Sequence, residues 1–218
     1  MRKYIDNDVY KGRREKLVKE LIEKGITDTN VLEAIKIIPR HFYIDTVFDA
    51  RAYDDVALQI GAEQTISQPY TVAFQTQLLN IKLGNTVLEV GTGSVYQAAV
   101  LAHLRARVFT IERQKELFEK NKHFHSKNKY PNIKFFYGDG FEGLPTYAPF
   151  DKIIITAGAP FIPPKLIAQL KPDGIMVIPV NEGEKQRMLR LIKKVDGTYT
   201  EEKFEIFSFV PMLSGKMK

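Results

Sequence analysis

The 218-residue chain contains no cysteine. That excludes disulfides, cysteine nucleophiles and thiolate metal sites, and leaves any chemistry to oxygen and nitrogen groups or to a bound cofactor. No apolar run approaches the roughly 20 residues that span a bilayer. The opening MRKYIDNDVYKGRR also lacks the apolar region of a signal peptide. A soluble, cytoplasmic protein without a membrane partner is therefore expected. Histidine is scarce too: His103, His123 and His125 fall in helix-like segments without acid-backed ligand spacing, so they read as surface residues and no metal site is expected. The formal charge of +6 is spread through segments such as RREKLVKELIEKG and is not gathered into a basic stripe with interleaved aromatics, so no nucleic-acid partner is expected.

What is present is a content of 44% apolar residues, ordinary for a chain that buries a core. Residues 13 to 24 set Leu17, Val18, Leu21 and Ile22 on one helical face, with Gly25 as the stop. A second helix starts from a cap at Asp28 or Thr29, carries Val31, Leu32, Ile35 and Ile38, and ends at Pro39. A less regular stretch from His41 to Gln68 leads into PYTVAFQTQLLNI, which reads as a helix. Apolar strands then alternate with helices through TVLEV, AAVLAHL, RVFTIE, a charged helix, IKFFYGDG, FDKIIITAG, PKLIAQL and GIMVIPV. That rhythm predicts an α/β fold, a doubly wound, largely parallel Rossmann-like sheet covered on both faces. MLRLIKKV, a turn at Asp196 and Gly197, and FEIFSFVPML predict antiparallel strands closing one edge. The expected division is an N-terminal helical portion with the active-site segment (1–80) and a Rossmann-like core with edge strands (81–218), packed as one unit.

The stretch VLEVGTGSVYQ is a strand running into Gly91, Thr92 and Gly93 and then a helix, a geometry that brings backbone amides close to a nucleotide at the carboxyl end of a sheet. A dinucleotide loop GxGxxG would need glycine where Tyr96 stands, which counts against NAD. S-adenosylmethionine, which has no pyrophosphate, remains. Three acids stand at successive strand ends: Glu89 before the glycines, suited to the ammonium end of the methionine; Glu112, about 20 residues past the loop, where an acid accepts from ribose hydroxyls; and Asp139, beside Gly140, near the expected adenine. Each taken singly also reads as a helix cap. Ser67 in TISQP stands where an N-cap would stand, with Pro69 in the first turn, and spacing alone favours that role.

The runs QTISQPYTVAF, VLEVGTGSVYQAAVLA, IER, GDG, APFDKIIITAGAP and QLKPDGIMVIPV closely resemble the protein-L-isoaspartate O-methyltransferase family. The likeness extends to IPRHF and AYDDVALQIG upstream and FVPML downstream, and covers about residues 30 to 213. The resemblance implies a methyltransferase Rossmann sheet and transfer of a methyl group from S-adenosylmethionine to the α-carboxylate of L-isoaspartyl residues in damaged proteins and peptides. The ester then collapses to a succinimide whose hydrolysis returns part of the material to aspartate. It further implies that Ser67 is the active-site serine and that Thr65 and Ile66 lie beside the cofactor. Residues Ala57 to Ile60 and Phe209 to Met212 are implied to shape the acceptor pocket, and His41 to be a structural hydrogen-bonder. An ionised carboxylate, with an ordinary pKa of about 4, needs no general base, in keeping with a chain lacking a His or Cys cluster. A monomer is expected.

The family loop usually reads GTGSGYQ, whereas this chain places Val95 at the third glycine. If its φ is positive, the substitution stores strain of about 1 kcal/mol or more; if negative, the isopropyl group narrows the methionine end of the pocket. Two other functions stay open. One is a methyltransferase with a different acceptor, against which stands the lack of an Asn-Pro-Pro-Tyr or Asp-Pro-Pro-Tyr motif where TAGAP follows the fourth strand. The other is a cofactor-fold binding module with little or no turnover, which Val95 keeps open.

Overall fold

The computed structural model describes residues 5–122 and 130–217; His123 and His125 lie outside them. Helix α1 (Asp8–Glu23) starts earlier than its apolar stripe suggests, because Asn7 caps it by accepting from the Tyr10 amide. Leu17 and Leu21 are buried, but Ile22, expected on the same face, is exposed, since the buried stripe is narrower than four residues. Helix α2 (Thr29–Ile37) is capped by Asp28, whose carboxylate accepts from the amides of Asn30 and Val31. Two short 3₁₀ turns, Arg40–Tyr43 and Thr46–Arg51, follow. A small antiparallel hairpin, β1 (Leu58–Gly61) and β2 (Gln64–Ile66), then occupies the stretch expected to be irregular.

Helix α3 (Pro69–Leu79) takes Pro69 at its first position, where a missing N–H costs nothing. Its N-cap is Gln68 and no side chain caps it, so the cap role expected of Ser67 is overturned. The chain then builds β3 (Thr86–Val90), α4 (Tyr96–His103), β4 (Arg107–Glu112), α5 (Lys115–Lys122), β5 (Ile133–Tyr137), β6 (Phe150–Ile155), α6 (Pro164–Ala168), β7 (Leu170–Glu182), β8 (Lys185–Lys193) and β9 (Tyr199–Phe207).

The seven-stranded sheet has the order β5-β4-β3-β6-β7-β8-β9, parallel from β5 through β7 and antiparallel from β7 through β9. Alternate residues of each central strand serve two cores. Val87, Val108, Ile154 and Val177 pack under α1 to α4, while Leu88, Ile153, Ile155 and Met176 pack toward α6. The strands are therefore apolar on both faces, as a covered parallel sheet requires. The order reverses between β3 and β6, and that switch point opens a crevice at the carboxyl ends of the strands.

The edge strand was expected to run through FEIFSFVPML, but β9 stops at Phe207. Residues 208 to 217 leave the sheet and cross the carboxyl ends of the parallel strands. The Gly158 amide donates to the Val210 carbonyl and the Met212 amide to the Gly158 carbonyl, both at 2.8 Å, and the Met217 amide donates to the Arg113 carbonyl at 2.9 Å. Pro211, between the two bonded positions, lacks an N–H and could not continue a central ladder.

Candidate active site

The crevice at the switch point collects the loops after β3, β4 and β6, the segment between β2 and α3, and the C-terminal crossing segment. The glycine loop turns where its dihedrals demand glycine: φ is +100° at Gly91 and +49° at Gly93. The Gly91 and Thr92 amides both donate to the Ile111 carbonyl, at 3.0 and 3.3 Å, and the Gly93 amide donates to Oε2 of Glu112 at 2.9 Å. A Cβ at Gly91 would stand 2.5 Å from the Thr156 hydroxyl oxygen. The space a side chain would need at Gly91 is thus already held by Thr156.

Glu112 also accepts from the Gln114 amide at 2.8 Å, so each carboxylate oxygen has a backbone donor. Burial raises its pKa and these backbone bonds oppose the rise. Glu89 is fully buried beneath the loop. Its carboxylate lies beside the Thr110 hydroxyl, which is engaged with Thr92 at 2.7 Å, and neither oxygen of Glu89 makes a regular hydrogen bond to the described residues. Desolvation pushes its pKa up to about 8; the Thr110 hydroxyl opposes this and the nearby Glu112 charge adds to it. Asp139 is differently placed. Its Oδ1 accepts from the Phe141 amide at 2.9 Å and its Oδ2 from the Gly215 amide at 2.6 Å, so it ties the crossing segment to the end of β5. Its neighbour Gly140 lines the crevice.

Three adjoining cavities make up the crevice. The first touches Gly91, Gly93, Glu112 and Gly140 and is roofed by Val210 to Leu213. A second touches Ile66, Ser67, Gly91 to Ser94 and Gln97. The third touches Ala57, Ser67, Thr71, Phe209 and Val210. Thr65 and Thr156 line all three. Of the residues expected around an acceptor, Ala57, Phe209 and Val210 meet Ser67 here. Gln59 and Ile60 instead line a separate cavity of about 680 Å³ between the 3₁₀ turns and α5. That cavity is larger than the three in the crevice but contains none of the strand-end acids. Ser67 Oγ makes no hydrogen bond among the described residues, whereas its carbonyl accepts from Arg40 at 3.1 Å.

Val95 has φ +74° and stands at the N-cap of α4, its amide donating to the Thr92 carbonyl at 2.8 Å. The positive-φ alternative thus holds. The side chain is fully buried in the core shared with α1 to α3 and lines none of the crevice cavities. His41 is a buried hydrogen-bonder to the Tyr53 hydroxyl and the Ile5 carbonyl, as expected, and His103 ends α4 half-buried. Among the described residues no cluster of three or more His, Asp or Glu could hold a metal ion, and no helix is long and apolar enough to cross a membrane.

Sequence reasoning missed Thr156 and Arg40. Thr156 had a usable signal, since it directly follows an apolar parallel strand beside the switch point. Arg40 had none, because its partners are backbone carbonyls.

The family model described as protein-L-isoaspartate(D-aspartate) O-methyltransferase matches residues 12–217. A protein-L-isoaspartate O-methyltransferase from Christiangramia forsetii is 53% identical over 207 residues, covering 95% of this chain and 97% of that protein. One from Flavobacterium johnsoniae is 51% identical over 211 residues, covering 97% and 99%. Among solved structures, a protein-L-isoaspartate O-methyltransferase superposes with a TM-score of 0.82 at 27% identity. The match covers 91% of this chain and 65% of that one, so this chain spans just under two thirds of its length. A putative protein-L-isoaspartate O-methyltransferase from Plasmodium falciparum, in complex with S-adenosyl-L-homocysteine, gives 0.79 at 25% identity, covering 92% and 98%.

Proposed function

The chain belongs to the protein-L-isoaspartate(D-aspartate) O-methyltransferase family, and from that premise we propose how its own residues carry the repair reaction. It is a methyltransferase that uses S-adenosylmethionine and acts on L-isoaspartyl residues of damaged proteins and peptides. The observation that carries the site assignment is the meeting of a cofactor-type cavity, with its glycine loop and Glu112, and a Ser67-lined cavity across Thr65 and Thr156.

The residues present fit the cofactor. Gly91 and Gly93 line the cavity with backbone alone, the Glu112 carboxylate borders it where a ribose diol would lie, and Glu89 is a buried carboxyl without a regular partner below the place where a cationic methionine end belongs. S-adenosylmethionine, when bound, supplies an electrophilic methyl group on a sulfonium. Gly91, Thr92, Gly93 and Glu112 bind and orient it, with Thr65 and Ile66 along its side and Gly140 at the far end of the cavity. Asp139 serves that far end through the crossing segment it anchors. Ser67 donates its free hydroxyl to the acceptor carboxylate and holds one oxygen toward the methyl group. The acceptor is already ionised at neutral pH, so no residue removes a proton and catalysis is chiefly alignment in a water-poor site.

Ala57, Phe209 and Val210 shape the acceptor end. The helical portion and the Rossmann-like core work as one unit, because residues of both enter one apolar core. We read the protein as a cytoplasmic monomer acting without nucleic acid or membrane, a reading supported by the dispersed charge. The test is transfer of labelled methyl from S-adenosylmethionine to a peptide with one L-isoaspartyl residue, against the normal aspartyl peptide. Base-labile label on the isoaspartyl peptide alone is expected, and label on neither peptide, from folded protein, would sink the proposal in favour of the binding-module reading.

A further inference from the structure

Thr156, the first residue after β6, has no assigned role, yet it touches each of the three cavities in the crevice. Its amide donates to the Val90 carbonyl at 3.0 Å, extending the β3–β6 ladder by one bond. Its hydroxyl then reaches back to the same strand end, 2.8 Å from the Gly91 carbonyl and 3.0 Å from the Val90 carbonyl. A hydroxyl has one hydrogen, shared here between two carbonyls, so it is spent as a donor. The Val90 carbonyl has the Thr156 amide as a second donor, whereas the Gly91 carbonyl has only this hydroxyl among the described residues. Gly91 has left the extended strand conformation at φ +100°, and nothing in the strand ladder holds its carbonyl. The same contact explains why position 91 admits no side chain.

We propose that Thr156 is a positioning residue for methyl transfer: its hydroxyl pins the first glycine of the loop at the boundary between the cofactor and acceptor cavities. The proposal rests on the reading of the crevice given above. An in-line displacement depends on the register between donor and acceptor, and a misplacement of about 1 Å costs on the order of 100-fold in rate. A loop peptide whose carbonyl loses its one donor is held only through its N–H side, by the long 3.3 Å bond from the Thr92 amide to the Ile111 carbonyl, and can shift toward that amount, while the fold around it, closed by the backbone ladder, does not.

The test uses the full chain and two variants that divide the side chain. Thr156→Val keeps the shape and removes the hydroxyl; Thr156→Ser keeps the hydroxyl and removes the methyl. For each, kcat and KM toward an isoaspartyl peptide are measured, together with affinity for S-adenosylhomocysteine by calorimetry. Thr156→Val is expected to lower kcat roughly 10- to 100-fold with the peptide KM changed less than about threefold. Loss of one hydrogen bond to the loop is expected to weaken S-adenosylhomocysteine binding about 3- to 10-fold. Thr156→Ser is expected to restore both. Equal impairment of the two variants would overturn the proposal and assign Thr156 to packing, as would a Thr156→Val variant indistinguishable from the unaltered chain. Should Thr156→Val fail to fold, Thr156→Ala against Thr156→Ser gives the same contrast. If the unaltered chain transfers no methyl group, the functional reading fails, and the calorimetric comparison still decides the role of Thr156.

Discussion

The Nη2 group of Arg40 donates to the carbonyl oxygen of Ser67 at 3.1 Å, joining the 3₁₀ turn after α2 to the residue that faces the acceptor cavity. The same guanidinium donates to the carbonyls of Ala52 at 2.7 Å and Val56 at 3.0 Å, and it is fully buried. A cation held by carbonyl dipoles pays for desolvation, and burial pushes its pKa down to about 10. Arg40→Met removes the donors and leaves three carbonyls unpaired, and urea denaturation should register a loss of about 3 kcal/mol or more. Arg40→Lys, which cannot reach three acceptors from one nitrogen, should recover only part of it.

Ser67→Ala separates two readings of one residue. A side-chain N-cap would cost about 1 kcal/mol on truncation. With α3 beginning at Pro69 and the Ser67 hydroxyl unbonded among the described residues, the variant should unfold within about 0.5 kcal/mol of the unaltered chain. Its kcat should fall roughly 10-fold or more if the hydroxyl orients the acceptor. A clear stability loss with unchanged kcat would return Ser67 to a structural role.

Val95 sets strain against burial. Its φ of +74° stores about 1 to 3 kcal/mol in a β-branched residue. Its fully buried isopropyl group returns about 1.5 to 3 kcal/mol. Val95→Gly loses the burial and sheds the strain, so its stability should change by less than about 1.5 kcal/mol. Val95→Ala loses burial but keeps a Cβ at positive φ, and should be the less stable of the two. Affinity for S-adenosylhomocysteine should be unchanged within about twofold in Val95→Gly, because the side chain faces the core and not the crevice. Calorimetry together with denaturation melts checks both halves.

Glu89 makes the cofactor-free protein pH-sensitive. With its pKa raised to about 8, the folded chain binds more protons than the unfolded chain between the ordinary carboxylate range and about pH 8. Its contribution is therefore fully present at low pH and is lost as pH rises through that window. Burial lowers the pKa of His41, which acts in the opposite direction and only below the ordinary histidine range. Between about pH 6.5 and 8 the melting temperature should thus fall as pH rises, and Glu89→Gln should flatten that slope. A variant whose slope matches that of the unaltered chain would show that Glu89 is ionised in the fold.

The strand and helix alternation from Thr86 onward, the glycine loop, and Glu89, Glu112 and Asp139 at successive strand ends were all determined by the sequence itself. Periodicity and turn chemistry act over a few residues, and parallel strands put their carboxyl ends on one edge. The contacts that complete the site were decided only by the tertiary structure. Arg40 reaches Ser67 across 27 positions, Thr156 reaches Gly91 across 65 and Asp139 reaches Gly215 across 76. In each pair a side chain meets a backbone group, which any residue offers equally and no sequence pattern marks. The conformation of Val95 belongs with them: its identity shows the departure from glycine, but φ and the direction of its side chain follow from how α4 docks on the core.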